Sequence, residues 1–144
     1  MSLSGIFDTA GSGMNAQSVR LNTTASNIAN AETASSSADT VYRGRHPVFA
    51  AVQAGYMQGQ VGALDDEQEM GVQVMGIVES DAPLQRRYEP GHPQADEEGY
   101  VHYPNVNIVE EMANMISASR SFQMNVEVMN SAKQMVQRVL QLGQ

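Results

Sequence analysis

Apolar residues recur at alternating steps of four and three along the last third of the chain, residues 105–144. The positions are Ile108, Met112, Met115, Ser119, Phe122, Val126, Met129, Lys133, Val136 and Leu140. Eight of these ten are apolar, a spacing typical of a helix in a coiled coil. Asn107 is placed to cap the helix start, with Glu110 three residues later as in a capping box. The pattern therefore predicts one helix of about 50 Å, too long to be covered by a small core.

The same spacing occurs at the other end of the chain, where residues 2–30 are predicted to form a second long helix. Its apolar row contains Leu3, Phe7, Ala10, Met14, Gln17, Leu21, Thr24 and Ile28. Gly5, Gly11 and Gly13 weaken its first turns. Small uncharged polar residues dominate its other side, which indicates either close approach of a neighbouring element or a merely solvated face.

Matching rows at the two termini predict that the helices pair as a coiled-coil-like hairpin around a short β unit. Two interpretations remain open: an ordinary two-helix core, or rows too extensive for one copy to bury, so that copies pack side by side. Under the second interpretation the predicted assembly residues are Leu3, Phe7, Met14, Leu21, Ile28, Ile108, Met112, Met115, Phe122, Val126, Met129, Val136 and Leu140.

The middle of the chain has a different pattern. Residues 31–40 lack bulky apolar side chains and are predicted to be a linker. Short strands are predicted at Val41–Arg43, Pro47–Gln53 and residues 71–80, with a loop at residues 58–66. Several prolines and glycines exclude a helix from residues 81–105. The fold class is therefore mainly α with a small β-rich insert of three to five strands. Residues 1–40 and 105–144 form the terminal helical domain, and residues 41–104 form the middle domain.

The amino-acid composition narrows the range of possible functions. Eight Lys and Arg against 16 Asp and Glu give a net charge of −8, which argues against binding nucleic acid or an anionic membrane. The chain has no cysteine, so no disulfide or thiol site is expected. No run approaches the ~20 apolar residues of a membrane span. The N-terminal residues lack the basic flank and apolar region of a cleaved signal peptide.

The candidate chemistry of the sequence is limited to its three histidines, His46, His92 and His102. The last two bracket an acidic run, residues 96–98, so a metal-dependent hydrolase is one hypothesis. The potential ligands lie in a Pro/Gly-rich loop without the tight spacing that metal sites use. No nucleophile elbow, phosphate loop or dinucleotide fingerprint occurs. We therefore expect no enzyme activity, no metal and no cofactor.

Specific motifs in the sequence resemble the family of flagellar basal-body rod proteins. SNIANAET at residues 26–33 resembles the end of the N-terminal helix that flagellar rod and hook proteins share. YEPGHPQAD at 88–96, GYV at 99–101 and PNV at 104–106 resemble a segment particular to a proximal-rod member. EEM at 110–112, SASRSFQ at 117–123 and NVE at 125–127 continue the match.

The resemblance implies a structural subunit of the proximal rod, which crosses the periplasm and transmits torque. The implied partners are other copies of the chain, other rod proteins, basal-body ring and export-gate junction proteins, and the flagellar type III export apparatus, which exports subunits without a cleaved signal peptide. The alternative hypothesis is a soluble coiled-coil adaptor or export chaperone that uses the same helices.

Overall fold

Two long helices and four short strands make up the computed structural model, which describes residues 3–53 and 70–142. Helix α1 spans Leu3–Asn30 and helix α2 spans Ile108–Leu142. The strands are β1 Arg45–Gln53, β2 Met70–Glu79, β3 Gln85–Tyr88 and β4 Tyr100–Tyr103. The prediction of a mainly helical chain with a small β insert is confirmed. The loop predicted at residues 58–66 lies outside the described residues.

Capping fixes the start of α2. The Asn107 side chain accepts hydrogen bonds from the backbone N–H groups of Val109 at 3.1 Å and Glu110 at 3.5 Å. Glu110 and Glu111 occupy the first turn, where carboxylates interact favourably with the helix dipole. The predicted role of Asn107 as the cap is therefore confirmed, and no glycine or proline interrupts the helix before Leu142.

The first hairpin pairs β1 with β2 antiparallel, with a β-bulge after Val48. It lies along α1: the Thr9 hydroxyl donates to the Met70 carbonyl at 2.6 Å, and the Ser12 hydroxyl accepts from the Val72 N–H at 3.1 Å. Within the described residues neither strand packs against α2. The order in space is therefore hairpin, then α1, then α2.

The strand predicted at Val41–Arg43 is wrong, because β1 begins only at Arg45, two residues before the strand predicted at Pro47–Gln53. Val41 is buried in the core, and the Gly44 N–H donates to the Asn105 side chain at 2.8 Å instead of to a strand. Pro47 is tolerated in β1 because a strand with a single partner leaves one row of N–H groups without a ladder role.

The second hairpin pairs β3 with β4, and a bridge between Ser35 and His102 holds the linker on the other side of β4. Both strands lie within residues 81–105, where the sequence excludes a helix, and that prediction is confirmed. A small core forms where the linker, β4 and the approach to α2 meet. Its buried members are Ala31, Val41, Val101, Pro104 and Val106. Neither described helix is long and apolar enough to cross a membrane.

Candidate assembly surfaces

The interface between α1 and α2 is built from small side chains. Ala16 of α1 and Ala118 and Ala132 of α2 are almost completely buried. A Cβ placed on Gly13 would lie 2.8 Å from Nδ2 of Asn125, closer than real Cβ contacts. A side chain at position 13 would therefore require the Asn125 side chain to move, and glycine leaves room for it.

Polar pairs show how the helices run. Gly13 lies against Asn125, and the Arg20 guanidinium donates to Oδ1 of Asn114 at 3.0 Å. Residue numbers rise along α1 as their partners' numbers fall along α2, so the two helices run in opposite directions.

The Asn27 side chain is fully buried and makes four hydrogen bonds. Its Nδ2 donates to the Arg45 carbonyl at 2.8 Å and to Oε2 of Glu111 at 3.1 Å. Its Oδ1 accepts from the Tyr42 hydroxyl at 2.8 Å and from the Arg45 N–H at 2.9 Å. An amide has two donors and an acceptor oxygen with two lone pairs, so Asn27 is completely satisfied. It joins α1, α2 and the first residue of β1.

The predicted assembly residues line the flanks of this interface and the outer side of the helices. Those that are half-buried are Phe7, Met14, Leu21, Ile28, Ile108, Met115, Phe122, Met129 and Val136. Those that are exposed are Met112, Val126 and Leu140. Nothing is described of the Leu3 side chain. Whether these residues contact neighbouring subunits stays a prediction.

Glu111, Ala118 and Ala132 are the buried positions of α2 at the centre of the interface, and each immediately precedes a position of the predicted row. Sequence reasoning missed Glu111 and Ala118. Glutamate gives no hydrophobic signal and a single alanine gives only a weak one, so apolar spacing did not find these two. The row of small polar residues on α1 was the available clue, since Thr23 and Asn27 are buried there.

A ridge of exposed side chains runs along α2 at intervals of four residues. It consists of Met112, Ile116, Arg120, Met124 and Val128, and we call it the α2 ridge. Residues four apart form one of the two natural ridges of a helix surface, the kind that packs into grooves of a neighbour. Met124 is 65 % exposed and Ile116 is 56 % exposed, unusual for side chains of this size.

The β1–β2 hairpin carries a second exposed apolar surface. Its exposed large side chains are Val48, Phe49, Val52, Met70, Val72, Met75, Ile77 and Val78. Gly71 faces Ser12 of α1, so the neighbouring Val72 lies on the opposite face. Val74, two residues further along β2, and its partner Phe49 on β1 share that face. Two-stranded sheets are marginally stable on their own in water. The hairpin therefore gains from a second layer over its outer face.

Arginine–tyrosine stacking organises the β3–β4 hairpin. The Arg86 guanidinium lies 4.5 Å from the Tyr100 ring centroid, and that of Arg87 lies 4.6 Å from the Tyr103 ring centroid. Partial burial raises the pKa of Tyr103, and a hydrogen bond from its hydroxyl to the Glu89 carboxylate at 3.2 Å raises it further. Tyr103 therefore stays neutral through the physiological pH range and holds the turn after β3 to β4.

The structure separates the three histidines. His46 is exposed on β1, and Nδ1 of His92 accepts a hydrogen bond from the Gln94 N–H at 3.1 Å. Nε2 of His102 lies 3.8 Å from Oδ2 of Asp96. Across residues 3–53 and 70–142, no group of three or more His, Asp or Glu side chains is arranged to hold a metal ion. The structure therefore provides surfaces for packing and hydrogen bonds that connect its helices and strands.

Two family models match the two ends of the chain. One, described as "Flagella basal body rod protein", matches residues 7–34, which cover most of α1. The second, described as "Flagellar basal body rod FlgEFG protein C-terminal", matches residues 97–142, from just before β4 to the end of α2. The two models therefore fall on the two helices that pack together, and the chain belongs to the flagellar basal-body rod protein family as a structural subunit of the rod.

Within this family the chain is similar over its whole length to proteins named "Flagellar basal-body rod protein FlgC". It is 46 % identical to the protein of Salmonella typhimurium and 47 % identical to that of Escherichia coli O6:H1, with 100 % of both chains covered in each case. It is 38 % identical to the Borreliella burgdorferi protein, covering 100 % of this chain and 99 % of the relative. The chain is thus a FlgC-like rod protein.

Proposed function

We propose that this protein builds the proximal part of the flagellar rod by packing helically with copies of itself and with other rod proteins, and that it transmits torque through those contacts. The relatives are named as rod proteins, and rods are made by repeated heterologous contacts that do not close into rings. Such a role needs packing surfaces and no catalysis, so the proposal includes no enzyme activity.

The observation that carries the proposal is the amount of exposed surface. The chain has an accessible surface of 10439 Å², whereas a compact monomer of its mass exposes about 7,200 Å². A standard interface buries roughly 800 Å² on each partner. The surplus is therefore large enough for contacts with several neighbours.

The helix pair supports a coiled-coil-like hairpin as the unit that packs. Half-buried Met115, Phe122, Met129 and Val136 recur every seven residues along α2, beside the buried alanines. A seven-residue repeat next to small buried residues suits two antiparallel helices that stay in contact along their length. Larger apolar side chains then flank the interface, where a neighbouring helix can cover them.

The proposal extends to location and partners. We place the subunit in the rod within the periplasm, exported by the flagellar type III apparatus without a cleaved signal peptide. Ring and export-gate junction proteins are its neighbours at the base. Membership of the rod family supports this placement.

Complementation tests the proposal. Cells that lack the gene should not swim and should yield no complete rods, and the tagged chain should restore swimming and co-purify with basal bodies. A matched control is the chain without α2, which should be made but not incorporated. Normal swimming of the deletion strain, or a tagged chain that remains outside basal bodies while restoring swimming, would contradict the proposed role.

A further inference from the structure

We propose that the outer face of the β1–β2 hairpin of one copy packs on the α2 ridge of a second copy of this chain. The inference rests on the proposed rod function and identifies the surfaces through which neighbouring copies meet. The two surfaces lie on different elements, since the hairpin packs against α1 and, among the described residues, does not reach α2. A contact between them is therefore heterologous and can repeat from copy to copy.

The chemistry of the two surfaces matches. A sheet with one covered face is completed by a helix layer on the other face. From Pro47 to Gln53 and from Met70 to Val78 the hairpin contains no charged residue. Met112, Ile116, Met124 and Val128 of the ridge are also uncharged, and methionine adapts to an irregular partner.

Charge favours this pair of surfaces over other contacts between copies. The chain has a net charge of −8, so two copies repel each other wherever carboxylates meet. Neither the hairpin stretch nor the ridge contains a carboxylate. The one charged residue of the ridge is Arg120, and arginine is enriched at interfaces because its stem packs on apolar surface while its head reaches the rim.

Dimensions agree as well. The ridge from Met112 to Val128 is about 24 Å long at 1.5 Å per residue. The nine residues of β1 extend about 30 Å. The hairpin is therefore long enough to span the distance between the two ends of the ridge. The surplus surface of the chain is large enough for each copy to use its hairpin on one neighbour and its ridge on another.

Disulfide trapping in assembled basal bodies tests the inference, and the chain is suited to it because it contains no cysteine. Cells that lack the native gene would produce two differently tagged versions, one with Val72→Cys and the other with Met124→Cys or Ile116→Cys. The matched control replaces the second version by Lys133→Cys, which is exposed but lies about 180° around the helix from Met124 and about 100° from Ile116.

We expect oxidation to trap a dimer carrying both tags, with several-fold more product from at least one ridge position than from Lys133→Cys. Equal yields from ridge and control positions, or no dimer from either ridge position in cells that swim, would overturn the inference and leave the rod function intact. A cross-link from Val72→Cys to a different rod protein instead of a second copy would also overturn it. Absence of the cysteine-free chain from basal bodies would instead count against the proposed function itself.

Discussion

The two sides of α2 reverse the usual distribution of apolar side chains in a surface helix, where the large ones face the protein interior. The side that faces α1 is built from alanine, asparagine and a buried glutamate, whereas the far side exposes Met112, Ile116 and Met124. In a self-sufficient two-helix core the large apolar side chains would face inward. The contrast indicates that short side chains and hydrogen bonds hold the two helices together, while larger apolar side chains stay exposed. The predictions below test this division, from the largest expected effect on stability to the smallest.

Replacing Asn27 should weaken the contact between α1, α2 and the start of β1. Asn27→Leu keeps the branch at Cγ but leaves the Glu111 carboxylate, the Tyr42 hydroxyl and the Arg45 backbone without their buried partner. The free energy of unfolding should fall by roughly 3–5 kcal/mol, as when one partner of a buried polar network is removed. Urea unfolding followed by circular dichroism measures this. Asn22→Leu, on the exposed side of the same helix, is the control, and an equal loss there would contradict the role of Asn27.

Phe122 tests the flank between the two sides. It is half-buried and is the only aromatic residue of α2. Phe122→Asp places a carboxylate at the edge of the helix pair, which should cost about 2 kcal/mol and prevent incorporation into the rod. Gln123→Asp, exposed at the next position, should leave both nearly unchanged. Swimming at the normal rate with Phe122→Asp would show that this flank contacts nothing in the assembled rod.

Two glycines of α1 measure how tightly the helices approach. No atom lies within 4 Å of a Cβ added to Gly11, so Gly11→Ala should stabilise the protein by about 1 kcal/mol through helix propensity alone. At Gly13 the same change meets the Asn125 side chain at 2.8 Å. Gly13→Ala should therefore give a clearly smaller gain or a loss, measured by the same urea titration. Equal gains would mean that the helices have room to spare.

Substitutions on the exposed side of α2 should hardly change the stability of the isolated protein. Met124→Glu changes an exposed residue, so the free energy of unfolding should move by no more than about 0.5 kcal/mol. Swimming should nevertheless be lost, because the carboxylate enters a contact between acidic subunits. Met124→Leu should swim normally. If the Met124→Glu variant is as stable as the parent and still swims, the α2 ridge does not contact a neighbour in the assembled rod.

Tyr103 should make the stability of the protein slightly sensitive to alkaline pH. Its pKa is raised, so the folded state prefers the neutral phenol, and the associated stability is present below pH 10 and is lost as the pH rises through the folded-state pKa. Tyr103→Phe should therefore be less stable than the parent at neutral pH but lose less stability between neutral and strongly alkaline conditions. Parallel curves for the two proteins would mean that the phenol contributes nothing.

The helices could be predicted from sequence because their signals are local. Seven-residue spacing located α2, and Asn107 marked its start correctly. The strand at Val41–Arg43 was wrong because β propensity could not show that Val41 is needed in the core and that Gly44 bonds to Asn105. The residues that α1 and α2 bury between them could not be predicted from the sequence for a different reason. The key residues, Gly13, Asn27 and Ala118, matter through size and hydrogen bonding, which hydrophobic periodicity does not detect.

The position of Asn27 has a mechanical consequence. One side chain ties the base of the hairpin to both helices, while Thr9 and Ser12 of α1 hold its other end. The four bonds of Asn27 reach β1, α2 and the residue Tyr42, so the base of the hairpin cannot move relative to α1 without loss of part of this network. We expect a subunit whose hairpin is tied at both ends to move as one body when a neighbour pushes on it.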